Sequence, residues 1–193
     1  MLGLLPRFVL LFVITLALAA CSETAVPSFD PTGACTADGS APGAYPDLEA
    51  RIPTSYRDGA PETLDSGRNC SGPSLGSLAD LGFTEIRFGG GRWGFGAERW
   101  AVLAVFTAPG LDAHEIADFY AASARAASRT EILAESRPTV GGRPGRRLDT
   151  KTGERLQTVV VWPASEPDLV NVVVANDLPE ARIADAITAF GDR

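Results

Sequence analysis

Three thiols and one imidazole carry most of the reactive chemistry this chain could support. The cysteines are Cys21, Cys35 and Cys70, and the histidine is His114. A structural or catalytic metal site needs several nitrogen or sulfur ligands at close spacing. Two isolated cysteines and one histidine do not supply that number, so no metal is expected. Any histidine-dependent reaction would have to use His114, two residues after Asp112 at a helix start. That position faces solvent, nothing nearby resembles a nucleophile elbow, and a surface role is expected. Gly89, Gly91 and Gly94 match G-x-G-x-x-G. Dinucleotide binding, however, requires a helix N-terminus after the glycines to meet the pyrophosphate, and here an apolar strand from Arg99 to Thr107 follows. The run Gly89–Gly96 is therefore expected to be a flexible hairpin connection. Within it Trp93 and Phe95 either fold back onto the core or stand out as a contact for a partner, sugar or lipid surface. They are the candidate contact residues. H-E-x-x-H, S-x-x-K and phosphate-loop patterns are all missing from the sequence, so the chain reads as a non-enzyme with no cofactor and no catalytic residues.

The thiol nearest the N-terminus has a different setting. One positive side chain, Arg7, precedes the uncharged apolar run Phe8–Leu18, and the small residues Ala19 and Ala20 precede Cys21. A basic start, an apolar core and small residues at the exit are the marks of a secretory signal peptide. The run is shorter than the roughly 20 residues of a membrane span. Leu18-Ala19-Ala20-Cys21 resembles the lipobox of bacterial lipoproteins. That resemblance implies that residues 1–20 are removed and that Cys21 is acylated on sulfur, and often on its new amino group as well. Two or more acyl chains, at about 0.8 kcal/mol per buried methylene, anchor a protein stably where one does not. It also implies an extracytoplasmic address, with the lipid bilayer as a partner through Cys21. Ser22 suits outer-membrane sorting in a two-membrane bacterium.

Cys35 and Cys70 remain as an even pair in an exported, oxidising setting and are expected to form a disulfide. Its loop of 35 steps is worth about 3–4 kcal/mol in the chain-entropy picture. Residues 22–46 are dominated by Pro, Gly, Ser, Thr and Ala, show no hydrophobic period and read as a tether. A flexible chain from Cys21 to Cys35 reaches about 20 Å, so a domain pinned at Cys35 stays near the membrane.

Seventeen basic and 24 acidic side chains give a net charge of −7. Loss of the leader removes Arg7 and no acid, leaving 16 against 24, or −8. An acidic surface argues against nucleic acid and against electrostatic attraction to anionic lipid. The length beyond the tether, 47–193, suits one domain.

The elements of that domain follow from pattern. Leu48–Ile52 reads as a short strand stopped by Pro53, and 54–72 as loop. Ser74–Leu81 reads as a short helix ended by Gly82, and Phe83–Phe88 alternates as a strand. Trp100–Phe106 is apolar on both parities, as in a central strand covered on both faces. Asp112 and Glu115 form a capping-box pair, with Leu111 placed to staple onto Ile116, before a helix whose apolar face runs Ile116, Phe119, Tyr120, Ala124, Ala127. Strands are expected at Thr130–Glu135, Leu156–Trp162 and Leu169–Ala175, and turns within Thr139–Arg147. Arg143, Arg146 and Arg147 form a basic cluster there, read as a solvated hairpin rather than a phosphate or carboxylate dock. A last helix, capped by Asp177 and Glu180, carries Ile183, Ala186, Ile187 and Phe190 on one face.

Successive late strands without helical crossovers predict an α+β fold, a mainly antiparallel sheet with two or three helices packed on it. Over residues 99–190 the element order resembles the compact sheet-and-helix domains of exported lipoproteins, a PsbP-like sandwich among them. It transfers no functional residue. The function expected is a non-catalytic module of the cell envelope, tethered to the membrane and binding a protein or wall component. The alternative is a carrier or sensor for a small apolar ligand held between sheet and helices.

Overall fold

The computed structural model describes residues 29–190. The leader and Cys21 lie outside the described residues. In chain order the elements are β1 (Gly39–Ala41), α1 (Pro46–Glu49), β2 (Thr63–Asn69), α2 (Gly72–Leu75), α3 (Ser77–Asp80), β3 (Ile86–Gly94), β4 (Trp100–Thr107), α4 (Ala113–Ala126), β5 (Thr130–Ser136), β6 (Thr139–Val140), β7 (Arg143–Pro144), β8 (Arg146–Thr152), β9 (Arg155–Pro163), β10 (Leu169–Asn176) and α5 (Glu180–Phe190). The fold is α+β, as expected. One sheet of eight strands runs β1-β2-β3-β4-β10-β9-β8-β5, and β6 and β7 form a separate ribbon. Every pairing is antiparallel.

The apolar residues of β4, β9 and β10 occupy both parities, and both faces are dry. Ala101, Leu103, Val160, Trp162 and Val173 join one core with Ile183, Ala186 and Phe190 of α5. Val159, Val161, Val170 and Val172 join a second core with Ile116, Ala117 and Ala121 of α4. The domain is thus three layers, with α5 on one side of the sheet and α4 on the other. At the C-terminal end of α5, Phe190 meets Trp162 edge-to-face, with centroids 5.4 Å apart. The start of α4 follows its sequence signals. The Asp112 carboxylate accepts from the backbone N–H of His114 at 3.0 Å, and Glu115 accepts from the N–H of Asp112 at 2.8 Å. Leu111 and Ile116 are buried in the same core.

Four local expectations need correction. Leu48–Ile52 is not a strand: α1 ends at Glu49, and Leu48 and Ile52 are buried in the α5-side core. Residues 63–69 within the expected loop form β2, paired with β1 and β3. The expected helix 74–81 is split into α2 and α3 at Gly76, whose φ of 51° is left-handed. The fourth is the glycine run: Gly89–Gly94 is strand, and only Phe95 and Gly96 belong to the hairpin connection. Gly89, Gly90 and Gly91 lie within β3, opposite Val105, Ala104 and Leu103 of β4. Gly89 and Gly91 face the α1 side, where added Cβ atoms would sit 3.0 Å from Leu48 Cβ and 2.9 Å from Ile52 Cγ2. Gly90 faces the opposite side, and a Cβ there would be at ordinary contact distance, 3.6 Å from Ala104 Cβ. The missing side chains make a seat that lets the α1 segment lie directly on the sheet.

This seat predicts an alternating response to alanine. Gly89→Ala and Gly91→Ala lose about 1–3 kcal/mol each through overpacking, whereas Gly90→Ala stays within about 0.5 kcal/mol of the parent or gains slightly. Urea unfolding of the three variants measures this, and equal losses at all three positions would contradict it.

Candidate functional site

Residues 29–46 are not a free tether. β1 adds to the sheet beside β2, with Gly39 opposite Arg68, and the segment before it is held by three devices. The first is the Cys35–Cys70 disulfide, present as expected, with Cα atoms 5.8 Å apart and a sequence separation of 35. The second is Arg68, only 4% exposed. Its guanidinium donates to the backbone oxygens of Asp30 (2.8 Å), Gly33 (2.8 Å) and Ala34 (3.0 Å), and the Phe29 ring lies 5.8 Å from its Cζ. A guanidinium's fixed fork of donors suits several carbonyls at once, which a lysine could not match. The third is Asp38, whose carboxylate accepts from the N–H groups of Cys70 (2.6 Å) and Ser71 (2.8 Å), from the Ser74 hydroxyl (2.7 Å) and from the Ser71 hydroxyl. Burial alone would push the Asp38 carboxyl up. The hydrogen bonds from Ser71, Ser74 and Cys70 outweigh it and hold the group well below its ordinary 3.8.

Trp93 and Phe95 do not form an exposed contact. Trp93 is 3% exposed and donates its indole N–H to the Gly59 carbonyl at 2.8 Å. Tyr56 stands edge-to-face between the two rings, with centroids 5.8 Å from Trp93 and 5.6 Å from Phe95. Phe95 is partly buried under Arg182 of α5, whose Cζ is 4.7 Å from the ring, and the Tyr56 hydroxyl donates to the Arg182 carbonyl at 2.7 Å. These rings join α5 to the 56–59 turn and the sheet.

The arginine cluster is divided between the two sides of the sheet. Arg147 bridges Asp149 (2.9 Å) and Glu180 (2.6 Å) beside α5, and Thr158 donates to Asp149 at 2.6 Å. Hydrogen bonds from Glu180 and Asp149 hold the Arg147 guanidinium well above its ordinary value. Arg146 reaches Asp118 at 3.3 Å on the α4 side. His114 is 61% exposed, with Asp112 3.1 Å from its Nδ1. No group of three or more metal-ligating side chains occurs among the described residues, and no helix among them is long and apolar enough to cross a membrane.

Open space is distributed unevenly. Under the N-terminal half of α4, between Ala117, Ala121 and the apolar floor of Leu148, Val159 and Val161, the cavity holds about 10 Å³, room for a single water. Further along the same helix a half-open cleft of about 330 Å³ lies between Tyr120, Ser123, Ala124 and a floor in which Thr150 and Gln157 stand beside Leu148 and Val159. Burial pushes the Tyr120 phenol up to about 12, so it stays a neutral donor. On the opposite face a cleft of about 250 Å³ has Arg147, Asp149 and Glu180 in its wall, all engaged with each other, beside the exposed Leu133 and Leu156.

Reading the sequence identified the disulfide but neither Arg68 nor Asp38. Arg68 falls in a stretch read as loop. The serines that cap onto Asp38 lie more than 30 residues from it. The only local signal was Ser71 at a helix start before Pro73, a pairing typical of an N-cap. No known protein family matches the chain, and neither does any curated protein.

Two predictions arise from these pins. Arg68→Ala strips three carbonyls of their donor and lowers stability by about 1–3 kcal/mol, with faster amide exchange confined first to residues 29–41; exchange unchanged there would contradict it. Asp38 has a folded pKa below its unfolded one, so its contribution is complete above about pH 4 and is lost as pH falls through the lower folded value. Asp38→Asn therefore flattens the acid limb of the stability–pH curve and leaves the slope above pH 6 unchanged. A variant with the parent's acid limb would contradict it.

Proposed function

We propose that this chain is a membrane-anchored extracytoplasmic lipoprotein, acylated at Cys21, whose single domain is a non-catalytic binding module for an envelope protein or wall component. The observation that carries the reading is the pinning of residues 29–41 by the disulfide and Arg68. A disulfide suits an oxidising compartment, in agreement with the signal-peptide pattern of residues 1–20. The pins leave eight steps between Cys21 and Phe29. That length spans about 28 Å fully extended and about 14–17 Å as a flexible coil. The domain is then held against the bilayer, and its partner must be met there.

The second class, a carrier for a small apolar ligand, has less support. The space under the first half of α4 amounts to about 10 Å³, far below the ~300 Å³ of an ordinary ligand site, and the larger clefts are half-open with mixed polar and apolar walls. The module reading over an enzyme draws on the charged groups beside the clefts, which are engaged with one another.

Intact mass of the chain extracted from the membranes of a lipoprotein-processing bacterium tests the anchor. The expected mass lacks residues 1–20 and carries at least two acyl chains, and Cys21→Ser abolishes both processing and membrane retention. A processed chain without acyl mass, or a Cys21→Ser variant retained equally well, would overturn the proposal.

A further inference from the structure

The contrast between the two halves of α4 has a chemical consequence. Under its first two turns, Ile116, Ala117 and Ala121 pack on Leu148, Val159 and Val161 beside Glu135, Arg146 and Arg147, and only about 10 Å³ is left. One turn later the same strands change character. β8 continues with Thr150 and Thr152, β9 begins with Arg155 and Gln157, and the helix presents Ser123 and Ala124. The 330 Å³ left between them is within the ~300–1,000 Å³ range of small-molecule sites.

From this lining we propose that the cleft binds a small, uncharged, hydroxyl-rich ligand, the chemistry of a neutral glycan. The proposal rests on the binding-module reading and names the site and the ligand class for it. Three hydrogen-bonding groups face the cleft without a partner among the described residues: the Tyr120 hydroxyl, the Ser123 hydroxyl and the Gln157 amide. Together they offer both donors and acceptors, as a polyol requires. Thr130 and Thr152 hydrogen-bond each other at 2.8 Å, and the Thr150 hydroxyl makes only a long contact, 3.4 Å, to the Gln157 carbonyl. The one cation in the wall, Arg155, is paired with Glu98, so an anion finds no free countercharge. An apolar ligand would strand the three unpartnered groups away from water, which costs more than its own burial returns. A sugar ring satisfies both demands. Its hydroxyls meet Gln157, Tyr120 and Ser123, while its apolar face lies against Ala124 and the Tyr120 ring. Trp100, opposite Asn176 in register, packs against the α4-side core and is the tryptophan on the cleft's side of the sheet among the described residues.

The test is calorimetric titration of the full chain in detergent micelles with chitotetraose, maltotriose and mannotriose, and with trigalacturonate as the charged counterpart, followed in parallel by tryptophan fluorescence. At least one neutral oligosaccharide is expected to bind saturably, with trigalacturonate at least about tenfold weaker. Gln157→Ala and Tyr120→Phe should each weaken binding about tenfold, equivalent to about 1.4 kcal/mol. Ser123→Leu, an exposed position where a larger side chain fills the cleft without touching either core, should abolish it. The proposal is overturned by no saturable binding of any neutral oligosaccharide up to about 10 mM, by equal binding of trigalacturonate, or by full affinity in Ser123→Leu. Acylation of Cys21 is not needed for any of these outcomes, so the cleft and the anchor can fail separately.

Discussion

Dryness on both faces of three adjacent strands is the constraint on which the rest of the domain depends. Val172 and Val173 are neighbours in β10, point to opposite sides, and are both fully buried. A sheet with that property needs a layer on each side. α4 supplies one. On the other, α5 covers β10 and β9 but leaves the β3 end to be covered by Tyr45, Leu48, Ile52 and Tyr56. The glycines at 89 and 91 exist in this context, since any side chain there would hold that segment off the sheet. The N-terminal stretch is therefore structural material, and the core is incomplete without it.

Once the α1 segment is part of the core, the chain before it has to be fixed at the sheet edge, and polar contacts do this. Burying the Arg68 charge costs several kcal/mol unless its donors are satisfied. Three carbonyls of residues 30–34 satisfy its terminal nitrogens, the Phe29 ring lies beside it and Glu85 stands 3.9 Å away, while its Nε is buried without a partner. The Cys35–Cys70 bond adds a covalent constraint at the same edge, and Asp38 ties the strand to the start of α2. A guanidinium, a disulfide and a capping carboxylate converge on about ten residues of chain. On the proposed anchoring at Cys21, only a short stretch would separate these pins from a bilayer, and the domain's place there would follow from its own folding.

Much of this was legible wherever a single local rule governed. The two-parity apolar runs at 100–106 and 169–175, the capping box at Asp112 and Glu115, and the even pair of cysteines each stated their outcome. Reading failed where a distant partner decided the local structure. Gly89–Gly91 has the composition of a loop and becomes a strand because Leu103–Val105 pairs with it and α1 needs the space. Residues 63–69 carry no clean alternation, since Ser66 and Arg68 are buried polar groups whose partners lie at Tyr45, Glu49 and 30–34. Trp93 and Phe95 could be read as core or as surface for want of a visible neighbour, and that neighbour, Tyr56, stands in a turn almost forty residues earlier. The cleft under α4 was hidden for a related reason: Thr150, Gln157 and Tyr120 are unremarkable until strand register and helix packing set them facing one another.

The most direct measurement of the proposed anchoring is the thickness of the water layer between domain and lipid, by neutron reflectometry at a supported bilayer on the chain from Cys21 onward, acylated there as proposed. With residues 29–41 fixed to the sheet, only the eight steps from Cys21 to Phe29 separate the two, and the gap should not exceed about 28 Å. Reduction of the Cys35–Cys70 bond together with Arg68→Ala should widen it. A gap well beyond that limit in the oxidised parent would mean that the N-terminal segment leaves the sheet and that the pinned arrangement is wrong.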